Sequence, residues 1–293
     1  MSRKNIIIIF ILAAVAGLLI SALFVGGRVY FFNGKLGISQ DLAVLVLGRV
    51  APGEGGQWHN APELADSIVL VYYNADSKTV NLISLPRDLY GTFGGENFKL
   101  NEVVKRNKID ALLAEMKEIT GVETEKYVIV DLGIIEKVVD ELGGVDVTLE
   151  ASVTDPVSGF TLNKGLNHLN GKEAAFLVRN RFAPEGDFFR EKHQHLLVQA
   201  VFDKLSEESV AERTKFFFRI LPEVAKSQSN FSIGELIPQL SNVEVRKFNS
   251  ITLDFSTGVL VSSQDPIGAY ILIPKEGMNN YKEVRTLIER KIE

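Results

Sequence analysis

Cysteine is absent from all 293 residues, which excludes disulfides, thiol nucleophiles and cysteine-ligated metals. An exported protein dispenses with disulfides when its core is large enough, so this absence does not fix a compartment. A basic excess is lacking too. The formal net charge of −5 argues against a nucleic-acid binder, and it makes any phosphate site a local concentration of arginine in an acidic background. The four histidines, His59, His168, His193 and His195, show no HExxH or comparable metal spacing. Neither a GxSxG elbow nor a Walker loop is present. Internal repeats, low-complexity runs and a Pro/Gly/Ser-rich linker are missing as well, so the roughly 260 residues after the N-terminal segment suit one large domain or two small ones.

What the N-terminus does have is a long apolar run. After Ser2-Arg3-Lys4, the stretch from Ile6 to Val25 carries no charge and a single polar side chain, Ser21. About 20 apolar residues at ~1.5 Å rise cross a bilayer core of about 30 Å. A cleaved signal peptide is the competing reading, but its apolar region is normally ~7–15 residues, and Ile20-Ser21-Ala22 is a poor cleavage site. The expectation is an uncleaved single-pass anchor. Arg3 and Lys4 place the N-terminus in the cytoplasm and the bulk of the chain outside the cell membrane, a vote that Arg28 and Lys35 weaken. The expected organisation is a cytoplasmic tail (1–5), an anchor (6–25), a juxtamembrane linker (26–41) and an extracytoplasmic domain (42–293). That domain has a motif core at 42–205 and a C-terminal extension at 206–293.

Beyond the anchor, strand and helix signals alternate. Leu42–Leu47 and Ser67–Tyr73 are apolar runs, and Thr79–Leu85 follows the turn-like Asn74-Ala75-Asp76-Ser77 as the second arm of a hairpin. Ile109, Leu112, Leu113, Met116 and Ile119 share a helix face that Gly121 stops. Tyr127–Asp131 reads as a strand, Ile134–Leu142 as a helix closed by Gly143-Gly144, and Val145–Leu149 as a strand. Lys172–Val178 and Asp187–Leu205 read as helices, with Asp187 as N-cap. The tail holds further helices and a short strand at Tyr270–Ile273. This alternation predicts an α/β fold, a three-layer α/β/α sandwich with a central mixed sheet, preceded by one transmembrane helix.

One segment concentrates positive charge. Val178-Arg179-Asn180-Arg181 is followed by Gly186-Asp187-Phe188-Phe189-Arg190 and Gln194. Extended backbone projects Arg179 and Arg181 from one face, and a helix from Asp187 puts Arg190 and Gln194 on one face. Guanidinium forks suit phosphate oxygens, so converging arginines suggest a phosphate-bearing ligand. Surface salt bridges with Glu185, Asp187 and Glu191 are the other reading. Ser84-Leu85-Pro86-Arg87-Asp88 ends a buried strand, where Pro86 stops the strand and Arg87 emerges at the turn, either toward a ligand or as a structural pair with Asp88. Asp66, just before the strand at Ser67, is a cap, an arginine partner or an oxygen ligand for Mg²⁺.

Together and in order, these segments resemble the LytR–CpsA–Psr family. The matching stretches are Leu45-Val46-Leu47-Gly48, Ala65-Asp66-Ser67-Ile68-Val69-Leu70-Val71, Leu82-Ile83-Ser84-Leu85-Pro86-Arg87-Asp88 and Lys99-Leu100-Asn101. Leu142-Gly143-Gly144-Val145-Asp146-Val147 and Gly165-Leu166-Asn167-His168-Leu169-Asn170-Gly171-Lys172-Glu173-Ala174 continue the pattern, and the two arginine segments complete it.

The resemblance implies a membrane-bound phosphotransferase that moves an anionic glycopolymer from a polyprenyl pyrophosphate carrier to peptidoglycan during cell-wall assembly, assisted by Mg²⁺. By motif position it assigns the pyrophosphate to Arg87, Arg179, Arg181 and Arg190, with Gln194 as a polar contact, Lys99 as added charge and Asp66 as metal ligand. Its partners are the lipid-linked glycan, peptidoglycan and the membrane, with no nucleic acid.

Three positions depart from the family pattern. Val50 replaces a usual metal-binding Asp, Leu64 a usual Arg, and His193 a usual Arg. Glu54 or Glu63 is the candidate substitute ligand, and His193, if protonated, the substitute cation. These departures keep a second class open: a member that binds the lipid-linked glycan or an envelope partner without transferring it.

Overall fold

The computed structural model describes residues 41–49, 64–131, 133–155, 159–178, 180, 187–224, 227–232 and 247–292. The segment expected to be the anchor lies outside them. Among the described residues no helix is long and apolar enough to cross a membrane. Beyond the N-terminal segment the chain divides into two compact units, Ser39–Ile129 with Arg246–Glu293, and Val130–Val245.

The first unit is built on strands β1 (Leu42–Arg49), β2 (Ser67–Asn74) and β3 (Thr79–Leu85), which pair antiparallel in that order. Every residue of β3 and all but Asn74 of β2 are buried, so both faces of these strands are covered rather than one. A tight hairpin follows, β4 (Tyr90–Phe93) and β5 (Glu96–Lys99). Its two turn residues, Gly94 and Gly95, have φ of 59° and 80°, a conformation that glycine enters without Cβ strain. Helix α1 (Ile109–Thr120) buries Leu112, Met116 and Ile119, and it ends where Gly121 turns left-handed at φ 79°. Strand β6 (Lys126–Asp131) lies beside β1 and carries the chain into the second unit.

In the second unit, α2 (Gly133–Glu141) leads to β7 (Val145–Leu149), whose residues alternate buried and exposed. After the short pair β8 (Val153–Thr154) and β9 (Thr161–Leu162), β10 (Gly165–Leu169) pairs antiparallel with β7. Asn170 and Glu173 form a reciprocal capping box at the start of α3 (Gly171–Leu177). A Cβ on Gly171 would lie 2.3 Å from the Glu136 carbonyl oxygen, so glycine is what lets α3 approach α2. Helices α4 (Asp187–Glu207) and α5 (Val210–Val224) follow, and then the short β11 (Gln228–Ser229).

The chain returns to the first unit with β12 (Lys247–Thr252), which runs parallel to β3 and makes the sheet mixed. Asn249 sits opposite the fully buried Asn81, and its Nδ2 donates to Asn81 Oδ1 at 3.0 Å, so a polar pair fixes this parallel register. The hairpin β13 (Leu260–Gln264) and β14 (Tyr270–Pro274) and the helix α6 (Lys282–Ile292) complete the unit. The core joins Leu45, Leu70 and Ile83 of the sheet to Phe93, Phe98, Met116 and Ile288. The expected α/β class with a mixed central sheet is what the structure has. The β4–β5 hairpin and strands β8 to β13 lie beyond those read from sequence.

Candidate functional site

Asp66 immediately precedes β2. Its main-chain N–H donates to the Gly48 carbonyl at 2.9 Å, which ties it to the end of β1. Arg87 follows Pro86, the residue that ends β3. Arg87 Nη1 donates to Asp66 Oδ1 at 2.7 Å. The Asp66 side chain is 1 % exposed and that of Arg87 20 %, so the carboxylate is deeply buried against its cation. A buried carboxylate without such a partner would be strongly disfavoured.

Main-chain bonds close this pair into a ring. Asn101, in the 3₁₀ turn Leu100–Glu102, donates its N–H to the Arg87 carbonyl at 2.9 Å. Its own carbonyl accepts the N–H of Ala65, beside Asp66, at 2.7 Å. One residue therefore bridges the two segments that carry the cation and the carboxylate.

Asp88 extends the array. Its Oδ1 accepts from Lys99 Nζ at 3.0 Å, and its Oδ2 lies 3.5 Å from Arg87 Nε. Its carbonyl also takes the Leu272 N–H at 2.9 Å. Lys99, Asp88, Arg87 and Asp66 thus alternate in sign, and Arg87 is held between two carboxylates that orient its planar fork. Sequence reading placed Asp66, Arg87 and Lys99 individually. Asp88 is expected from sequence only as a structural partner of Arg87, and Asn101 is not among the sequence candidates, its one signal being its place in Lys99-Leu100-Asn101.

The second unit carries the remaining candidates. Arg179 and Arg181 lie outside the described residues, as do Val50, Glu54 and Glu63. Asn180 between the two arginines is buried. Its Nδ2 donates to the Thr154 carbonyl at 3.0 Å and its main-chain N–H to the Phe176 carbonyl at 3.1 Å, so the backbone between the arginines is anchored. Arg190 and Gln194 stand one turn apart on α4, as expected; Gln194 is buried, and the Arg190 side chain lies outside the described residues.

His193 does not supply a cation. It is 5 % exposed, and burial first and the neighbouring Lys192 second push its pKa down to about 4, against a smaller upward pull from Glu150. It is therefore neutral near pH 7, and the expected substitution of one cation for another fails on desolvation. The Gly-Gly-Val-Asp and Gly-Leu-Asn-His motifs have a structural role. Asp146 and His168 are partners in the β7–β10 register, joined Oδ1 to Nδ1 at 2.6 Å, and His168 Nε2 lies 3.1 Å from the Gly143 carbonyl.

A divalent cation has a sparse protein shell here. Among the described residues no group of three or more His, Cys, Asp or Glu side chains is placed to hold a metal. Mg²⁺ is normally held by one or two carboxylates with substrate phosphates and waters, so a single carboxylate such as Asp66 with an uncharged protein oxygen would suit a cation shell that a phosphate ligand completes. Asn101 has such an oxygen: its buried Oδ1 has no hydrogen-bond partner among the described residues.

Comparison with known proteins adds the family. Residues 33–276 match the LytR_cpsA_psr family model, a span reaching well past the motif core into the C-terminal extension. The regulatory protein MsrR of Staphylococcus aureus (strain COL) is 33 % identical over 190 residues, covering 64 % of this chain and 55 % of that protein. A Bacillus cereus protein, the polyisoprenyl-teichoic acid–peptidoglycan teichoic acid transferase TagU, is 30 % identical over 173 residues, covering 58 % of this chain and 54 % of that one. The matched region thus spans about half the length of each relative. The crystal structure of Bacillus subtilis TagV superposes with a TM-score of 0.64 at 22 % identity, covering 86 % of this chain and 97 % of that chain, a likeness of fold.

Proposed function

The chain belongs to the LytR_cpsA_psr family, and on that premise we propose that it is a phosphotransferase moving an anionic glycopolymer from a polyprenyl pyrophosphate carrier to peptidoglycan. The reading places the enzyme on an α/β/α sandwich tethered by residues 6–25 to the outer face of the cell membrane. The observation that carries it is Arg87, held at the end of β3 between the carboxylates of Asp66 and Asp88 in the segment that matches the family motif.

In this reaction the hydroxyl oxygen of a peptidoglycan sugar attacks the phosphorus next to the glycan. The bridging P–O bond breaks, polyprenyl monophosphate leaves with that electron pair, and the hydroxyl proton passes to solvent. The product is a phosphodiester between glycopolymer and wall. Charge on the leaving phosphate is the main barrier, so positioning and fixed cations supply most of the acceleration. Arg87 takes this role in the first unit, with Lys99 adding charge. By motif position Arg179, Arg181 and Arg190 hold phosphate oxygens, and Gln194 gives a polar contact. Asp66 is the proposed carboxylate ligand of Mg²⁺, which when bound with the donor neutralises charge on its phosphates.

Val50 favours a second reading, since valine cannot ligate a metal: a member that binds the lipid-linked glycan without transfer. The lipid product separates the two. The full chain in detergent, given a lipid-labelled polyprenyl pyrophosphate glycan and peptidoglycan, releases labelled polyprenyl monophosphate if it is a transferase. Labelled donor recovered intact, though protein-bound, identifies the binder.

A further inference from the structure

Among the described residues nothing meets the side-chain oxygen of Asn101. The residue is 7 % exposed, and its side-chain Oδ1 is buried with no hydrogen-bond partner among the described residues. Leaving a buried acceptor unmet is costly, and such groups in folded proteins call for a specific explanation. The structural work of Asn101 is done by its main chain, through the bonds to Arg87 and Ala65. Any residue other than proline makes those two bonds. Those bonds tie Asn101 to Arg87, the cation paired with Asp66, and to Ala65, the residue before Asp66, and Asp66 is itself tied to Gly48, two residues before Val50.

Resting on the pyrophosphate reading, we propose that Asn101 is a residue of the cation site, its Oδ1 serving as a neutral oxygen ligand where Val50 supplies no carboxylate. Side-chain amide carbonyls are ordinary ligands of hard divalent cations. An amide oxygen in place of a carboxylate leaves the protein shell one negative charge poorer, so the metal is held more weakly until the phosphates of the donor join it. Binding of metal and donor would then be mutually reinforcing.

The test uses the full chain in detergent, with Mn²⁺ as probe and the free ion read by electron paramagnetic resonance. Asn101→Ala removes the oxygen and keeps both main-chain bonds, and it is expected to weaken Mn²⁺ binding about 10-fold or more. Asn101→Asp is nearly isosteric, adds the missing charge and is expected to tighten Mn²⁺ binding. Thermal unfolding of each variant reports whether the fold survives, and Asn101→Asp keeps the test decisive if Asn101→Ala fails to fold.

Absence of Mn²⁺ binding by the unsubstituted chain overturns the proposal. So does unchanged affinity in the folded variants. Binding of a polyprenyl pyrophosphate, measured on the same samples in EDTA, separates this failure from that of the broader reading. If the lipid still binds, only the role of Asn101 falls; if it does not, the pyrophosphate reading falls with it.

Discussion

Arg87 and Asp66, 21 residues apart in the chain, meet through an Nη1–H···Oδ1 bond of 2.7 Å that joins the end of β3 to the start of β2. The pair is asymmetric, a carboxylate 1 % exposed against a guanidinium 20 % exposed. Removing the cation strands a buried charge. Arg87→Ala is therefore expected to lower unfolding free energy by roughly 1.5–3 kcal/mol, while the Arg87→Ala/Asp66→Ala double variant loses less than the sum of the single changes. Denaturant unfolding of the four proteins checks the cycle.

Arg179 and Arg181 form the second prediction. Arg179→Ala and Arg181→Ala are each expected to weaken polyprenyl pyrophosphate binding by roughly 1.5–3 kcal/mol, the range of charge-assisted hydrogen bonds. Lysine at either position restores part of the loss, because it keeps the charge without the planar fork. The double variant is non-additive, since both groups contact one ligand. Normal binding by both folded single variants would make these arginines structural.

Two histidines set an acid limit on stability. Burial holds His193 and His195 down at about 4, from an ordinary value of 6.5. In the unfolded chain both take a proton as pH falls through about 6.5, while in the folded chain they do not until about 4. Unfolding therefore gains protons across that window, and stability falls as pH drops through it, by an amount on the order of 1–3 kcal/mol per histidine. His193→Gln is expected to flatten the profile of thermal midpoint against pH between about 4 and 6.5. His168 works in the opposite direction. Its hydrogen bond to Asp146 raises its pKa, so its contribution is present below the ordinary value and is lost as pH rises through the folded one.

The close approach of α2 and α3 rests on Gly171. A methyl group there would meet the Glu136 carbonyl at 2.3 Å, and backbone cannot yield as a side chain can. Gly171→Ala is expected to destabilise the protein by about 1–3 kcal/mol through overpacking, despite the better helix propensity of alanine. An unchanged midpoint in thermal unfolding would show that the helices separate freely.

Local signals carried far in this chain. The apolar runs of β1, β2 and β3, the face of α1 with its Gly121 stop, and the turn at Gly143-Gly144 all rest on residues a few positions apart, and each element lies where the sequence placed it. The Gly94-Gly95 hairpin is as local, but its four-residue arms, Tyr90–Phe93 and Glu96–Lys99, are too short to give a strand signal of their own.

Strand β12 was beyond local reading. Four of the six residues of Lys247-Phe248-Asn249-Ser250-Ile251-Thr252 are polar, and the segment becomes a strand by pairing with β3, 168 residues earlier at Asn81. The candidate site divides in the same way. Motif position singled out Asp66, Arg87 and Lys99. The bridging by Asn101 and the Lys99–Asp88–Arg87 array depend on turns brought together by the sheet. The neutrality of His193 depends on burial, which no spacing rule reports.

The most direct test of transferase function follows the glycan to the wall. The full chain in detergent is mixed with a glycan-labelled polyprenyl pyrophosphate donor and peptidoglycan, with Mg²⁺ or with EDTA. The account predicts label in the insoluble wall fraction with Mg²⁺, little with EDTA, none with Asp66→Ala, and an increase with Val50→Asp, because Asp66 is the one proposed carboxylate ligand and Val50 stands where a second would be. Label that stays on the lipid under every metal condition, with the donor still bound, would contradict it.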